Sequence, residues 1–193
     1  MPPDPTNPLN PKPDYINELD QAGRYIAELK WNGDNTLIHL DEWPPVFWNR
    51  HRTRLKYNPS QEVLEELKFW KEWAGDSILN AETVDKKTKT VKNTIIIHCI
   101  MAFRGNYLYG KTWGDSRNIL DDAITAGLSG QQVQVSKVWK SGFWKLFQET
   151  DGTIIEGIIL KDPDGKLIFS TRPVEDVSWM RKIRKPSKRI GAF

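Results

Sequence analysis

The feature that most restricts the fold is a set of short apolar runs of strand type, each carrying charges at fixed places. "RYIAELKW" (24–31), "NTLIHL" (35–40), "SILNAETVD" (77–85), "NTIIIHCIMAF" (93–103), "GTIIEGIILKD" (152–162) and "VSWMRKIRK" (177–185) are such runs, bounded by turn-forming residues. Lys30 ends the first, Glu82 and Glu156 interrupt two others, and Lys182 and Arg184 alternate in the last. Residues two apart in a strand share a face, so Lys182 and Arg184 project together. A charge held in such a run must be paired or used. A strand-edge salt bridge explains any one of them; all of them in this order is harder to account for that way.

Between the runs lie helix patterns. "DYINELDQAG" predicts a helix over 14–23, capped by Asp14 and stopped by Gly23. In "NPSQEVLEELKFWKEWAG" Asn58 is the expected cap and Pro59 fits the first turn. Val63, Leu64, Leu67, Trp70 and Trp73 form its stripe, which reads as core. "DSRNILDDAITAG" predicts a helix from Asp115 to Gly127, and "SGFWKLFQET" (141–150) a further one. Asn32-Gly33 is hairpin chemistry between the first two runs. "PPVFWNRHRTRLKY" (44–57), "TKTVK" (88–92), "QQVQVSKVW" (131–139) and "KLIFS" (166–170) read as more β structure, the last after a "DPDG" turn. The expectation is α+β, with antiparallel sheets flanked by helices. Residues 1–13 are proline-rich and read as an extended arm on a single domain over 14–193.

At 193 residues, 38% hydrophobic with nine tryptophans, the chain has material for a real core. Cys99 is the sole cysteine, which excludes an intramolecular disulfide, and no Cys/His spacing suggests zinc. The N-terminus lacks signal-peptide order, and no apolar stretch nears the roughly 20 residues that span a bilayer. A cytoplasmic protein with no membrane role is expected. The net charge of +3 is modest, yet cations concentrate in "NRHRTRLK" (49–56) and "RKIRKPSKR" (181–189). That suits a polyanionic partner, or equally a solvated face and a basic tail.

Taken in order, the charged runs resemble the covalent nucleotidyltransferases: ATP-dependent DNA and RNA ligases and their mRNA-capping relatives. Lys30-Trp31-Asn32-Gly33 is similar to the lysine-x-x-glycine motif, Arg50 in "WNRHR" to an arginine motif, and Glu82 in "LNAETV" to a glutamate after a strand. "IHCIMAFRGNYLYGKTWGDSRNIL" resembles the base-stacking strand, glycine turn and helix, with His98 in the stacking position. "EGIILK", with Glu156, and Lys182-Ile183-Arg184 complete the set, which runs from about residue 24 to 186. Asn35 stands where many DNA ligases carry arginine and is more like the RNA ligase 2 branch; Arg184 replaces a lysine.

The resemblance implies roles. An amine nucleophile must be unprotonated, and at an ordinary pKa near 10.4 only about 0.1% of lysine is neutral near pH 7.4. Lys182, Arg184 and Mg2+ (or Mn2+) would penalise the ammonium and offset the triphosphate charge, and Lys30 would become the AMP-lysine. Glu28, Asn35, Glu82, His98, Glu156 and Lys182 would join Lys30 in binding ATP, and Glu156 and Glu82 would hold the metal. Gly33 would allow a tight turn and close approach of backbone to nucleotide. Arg50, Arg52 and Arg54 would contact nucleic acid: a nicked double-stranded DNA or an RNA/DNA hybrid. The implied protein is a monomeric nick-sealing ligase without an OB-fold domain, as in a small viral or phage version acting in host cytoplasm. An RNA ligase 2-like repair enzyme, a GTP-dependent capping-type guanylyltransferase and a silent nucleic-acid-binding module are the alternatives.

Overall fold

The computed structural model describes residues 11–49, 51–168 and 177–186. In chain order they form α1 (Pro13–Gln21), β1 (Ile26–Trp31), β2 (Asp34–His39), β3 (Val46–Asn49), α2 (Gln61–Ala74), β4 (Ile78–Val84), β5 (Thr94–Phe103), β6 (Asn106–Tyr107), α3 (Trp113–Thr125), β7 (Val133–Val135), β8 (Val138–Trp139), α4 (Phe143–Glu149), β9 (Ile155–Lys161) and β10 (Met180–Arg184). These divide into two units. The first holds residues up to Asn32, Lys137–Gly165 and 177–186; the second holds Gly33–Ser136 and residues 166–168.

The first unit is built on an antiparallel sheet ordered β10-β9-β1-β8. Alternation sends Ala27, Ile158, Leu160 and Ile183 to one face, where they are buried with Ile16 of α1 and Phe143, Leu146 and Phe147 of α4. Asp14 does not cap α1: Lys12 is the N-cap residue, and Asp14 lies in the first turn, where its charge suits the helix dipole. The N-terminus of α4 is held by Asp20 of α1, whose carboxylate accepts the Gly142 and Phe143 N–H groups at 2.8 and 3.1 Å.

The second unit has a sheet ordered β3-β2-β4-β5-β6, with β7 on β5. Ile38, Leu79, Ala81, Ile95 and Ile97 from the sheet, Val63, Leu67 and Trp70 from α2, and Leu120 and Ala123 from α3 form one buried core. Antiparallel pairing fails once, because β5 and β7 run parallel. Their connection passes through α3, and such a crossover is what a parallel pair requires.

Two expected caps move. Ser60, not Asn58, caps α2, its Oγ accepting the Val63 N–H at 3.5 Å. The third helix starts before Asp115: Thr112 is the cap and Asp115 its reciprocal partner, with N–H bonds of 2.7 Å to Asp115 and 3.0 Å to Thr112 Oγ1. Residues 88–92 form no strand, and of 166–170 Lys166 makes a single bridge to Thr112, while 169 and 170 lie outside the described residues. Within 44–57 β3 is followed by a return segment: Trp48 and Arg54 form an antiparallel bridge, and the Leu55 N–H donates to the Phe47 carbonyl at 2.8 Å. Between the two, Asn49 gathers the His51 and Thr53 N–H groups at 2.8 and 3.1 Å, closing a turn.

The largest correction concerns Asn32-Gly33. The strands on either side do not pair as a hairpin; β1 belongs to the four-stranded sheet and β2 to the larger one. Among the described residues no helix is long and apolar enough to cross a membrane.

Candidate active site

The second face of the four-stranded sheet carries the charges. Register places Glu28, Ile159 and Lys182 in one row and Lys30, Gly157 and Arg184 in the next. Two register features bring Glu156 to them. Lys30 pairs with Gly157 but Trp31 pairs with Ile155, so Glu156 is the extra residue of a β-bulge. A bulge re-aims a side chain that strict alternation would send to the opposite face. As a result the Lys30 Nζ donates to Glu156 Oε2, and Arg184 Nε lies 3.7 Å from that same oxygen. Gly157 must be glycine: a Cβ there would stand 2.0 Å from the Ile183 carbonyl oxygen of β10.

Burial grades along this face. Glu28 and Lys161 are 1% and 5% exposed at the side chain and bonded at 2.6 Å. Lys182 is buried, Lys30 is 12% exposed, and Glu156 and Arg184 reach 28% and 33%. Among the described residues the buried Glu28 Oε1 and Arg184 Nε find no hydrogen-bond partner. An unmatched carboxylate oxygen costs on the order of 1–3 kcal/mol or more, so it points to a missing donor. Asn32 docks onto the turn before β9: its N–H reaches the Ile154 carbonyl and its Nδ2 the Thr153 carbonyl, both at 2.9 Å.

In the second unit Asn35 and Glu82 face each other across β2 and β4. Asn35 Nδ2 donates to Asn80 Oδ1 at 3.0 Å, and the Gly33 N–H donates to Glu82 Oε1 at 3.0 Å. Gly33 is not a tight-turn residue of a hairpin. It is glycine because a Cβ would meet the Thr83 carbonyl oxygen at 2.5 Å and Glu82 Cγ at 2.7 Å. His98, half-buried, is the extra residue where β5 slips against β4, and its carbonyl accepts the Trp113 indole N–H at 3.4 Å. Arg52 and Arg54 are exposed in the turn after β3; Arg50 lies outside the described residues.

Three residues of note were not singled out from sequence. Lys161 ends "EGIILK", and its position in that motif was the available signal. Lys87, which donates to the Gly33 carbonyl at 2.5 Å and pairs with Asp34 at 2.9 Å, gave no local signal. Asp151 accepts on Oδ1 three successive N–H groups of the turn that Asn32 grips, and its Asp-Gly-Thr stretch was the available signal.

Among the described residues no three His, Cys, Asp or Glu side chains cluster.

No family model and no curated protein matches the sequence. Solved structures do match the fold. A mycobacterial DNA ligase D complexed with ATP and MES aligns with a TM-score of 0.60 at 16% identity, over 84% of this chain and 55% of that one. An archaeal ATP-dependent RNA ligase aligns at 0.58 and 13%, over 96% and 48%. Chlorella virus DNA ligase-adenylate aligns at 0.50 and 14%, over 95% and 69%. The chain spans about half the length of the first two. It has the fold of the nucleotidyltransferase domains of ATP-dependent DNA and RNA ligases.

Proposed function

We propose that this protein is an ATP-dependent polynucleotide ligase that joins a 3′-hydroxyl to a 5′-phosphate at a nick through a lysyl-AMP intermediate. The observation that carries this reading is the meeting of Lys30, Glu156 and Arg184 on one sheet face, one row from Lys182. Phosphoryl transfer needs mainly position and positive charge, and this face supplies both. Lys30 Nζ attacks the α-phosphorus of ATP. The P–N bond forms as the bond to the bridging oxygen breaks, pyrophosphate leaves, and the Nζ proton is released to solvent. Lys182 and Arg184 hold phosphate oxygens, Arg184 with a planar fork.

Glu156, with Glu82 as the second candidate, would hold Mg2+ (or Mn2+), which when bound neutralises phosphate charge. Glu28 Oε1 is an acceptor without a donor among the described residues, and the adenine amino group would supply one. Glu82, Asn35 and His98 are assigned to ATP by the resemblance, Glu82 to the ribose and His98 to stacking on the base. AMP then passes to the 5′-phosphate, and attack by the 3′-hydroxyl forms the phosphodiester and releases AMP. Arg50, Arg52 and Arg54 bind strand phosphates, and raising salt should weaken that binding steeply. Nicked DNA is the main substrate in this reading. An RNA-joining enzyme is the second reading, favoured by Asn35, which pairs with Asn80 where many DNA ligases carry arginine.

Labelled ATP or GTP followed by denaturing electrophoresis tests the reading. Label retained from ATP alone supports a ligase, label from GTP alone means a capping-type enzyme, and label from neither means a silent binding module. Nicked duplexes with DNA or RNA on each side of the break then separate the two ligase readings.

A further inference from the structure

We propose that Asp151 is a positioning residue for the Lys30–Glu156 pair, acting through the turn that sets the bulge at Glu156. The inference rests on the adenylation reading above. On one oxygen Asp151 collects the N–H groups of Thr153, Ile154 and Ile155 at 2.5, 2.7 and 3.2 Å and the Thr153 hydroxyl at 2.8 Å. The carbonyls of that turn face the other way: those of Thr153 and Ile154 accept both bonds from Asn32, two residues after Lys30. Three donors of one five-residue turn thus converge on Asp151 and two of its acceptors on the nucleophile's own strand end, while the Gly152 N–H closes the turn on the Ile155 carbonyl at 2.9 Å.

The next residue is Glu156, whose carbonyl accepts the Lys185 N–H at 2.8 Å beyond β10. The Glu156 peptide is therefore fixed from the turn before it and from the strand beside it. Partial burial by itself raises the Asp151 pKa. The N–H groups of Thr153, Ile155 and Ile154 and the Thr153 hydroxyl outweigh that and hold the carboxyl below its usual range. An ionised carboxylate strengthens those bonds by charge.

No contact of Asp151 with ATP is required, so its loss should leave nucleotide affinity alone and slow the chemical step. The test uses the full chain as wild type, Asp151→Ala and Asp151→Asn, with circular dichroism to check folding. Asn keeps an acceptor oxygen and should recover most of the function. Amide hydrogen exchange should rise about tenfold in Asp151→Ala, at Asn32 as well as at 153–155. Single-turnover AMP transfer to Lys30 should fall about 10- to 100-fold, the scale of a small misplacement of reacting groups, with half-saturating ATP changed by less than about twofold.

Unchanged exchange at Asn32 overturns the proposal. So does an unchanged transfer rate with raised exchange, or an ATP requirement that climbs in step with the loss of rate. Wild type that gains no AMP overturns the adenylation reading instead; exchange at Asn32 then decides whether Asp151 fixes the strand end.

Discussion

In the four-stranded sheet one face is aliphatic and the other carries Glu28, Lys30, Lys182 and Arg184, whereas the larger sheet buries almost nothing charged. Among the described residues the first unit buries Glu28, Lys161, Asp162 and Lys182; the second buries Arg117, held by Asp121 at 2.9 Å and the Ser136 carbonyl at 2.6 Å. The buried polar groups around its sheet are mostly hydroxyls, such as Thr83 bonded to Thr36 at 2.9 Å. Burying a charge costs several kcal/mol unless it is matched, and ion pairs seldom repay that cost better than aliphatic residues do. The sheet with the smaller core thus carries the heavier electrostatic burden. Stability alone does not explain that, whereas the phosphoryl transfer proposed for the charged face would.

The contrast can be broken most severely at Lys30. Lys30→Ala should abolish the AMP adduct, read as loss of the mass gain on incubation with ATP, while the cooperative unfolding transition persists. The next effect is on stability. Lys161→Met leaves Glu28 buried without its partner and should cost about 3–5 kcal/mol in a denaturant titration. A double replacement, Glu28→Met with Lys161→Met, should recover most of that loss without restoring adenylation. If the double variant stays as unstable as the single one, the pair is doing more than matching charge.

In the second unit, Leu67→Ala removes a fully buried side chain and should cost about 2–5 kcal/mol through the cavity left behind. The smallest effect is at the start of α3. The Thr112 N–H and hydroxyl hold the Asp115 carboxyl below its ordinary value of 3.8. Its folded pKa lies below the unfolded one, so its contribution is present above that value and lost as pH falls through the folded pKa. Asp115→Asn should flatten the acid limb of the stability curve below about pH 4 and leave neutral pH nearly unchanged. A limb of unchanged slope would mean that other carboxylates govern it.

Much of this was legible locally. The stripe on α2 and the apolar run of β5 follow from side-chain periodicity, which is a property of neighbouring residues. The caps were read less well, because a helix start depends on which of several nearby hydroxyls or carboxylates reaches a free N–H: Ser60 and Thr112 do, Asn58 does not. The reading of Asn32-Gly33 as a hairpin turn failed for a different reason. Turn chemistry is local, but whether two strands pair is decided by their other neighbours, and β1 is flanked on both edges by β8 and β9. Gly33 is demanded by the Thr83 backbone of β4, a contact no short window of sequence contains.

The sequence by itself determined the α+β class and the order of charged residues along the strands, since both follow from alternation and helical spacing. Tertiary structure alone decided that Glu156 turns toward Lys30, that Lys161 neutralises Glu28, and that Asn32 docks on the Thr153 carbonyl. Those partners lie more than a hundred residues apart, 126 for Lys30 and Glu156 and 133 for Glu28 and Lys161. The register that joins them is a property of paired strands, which no single strand can encode.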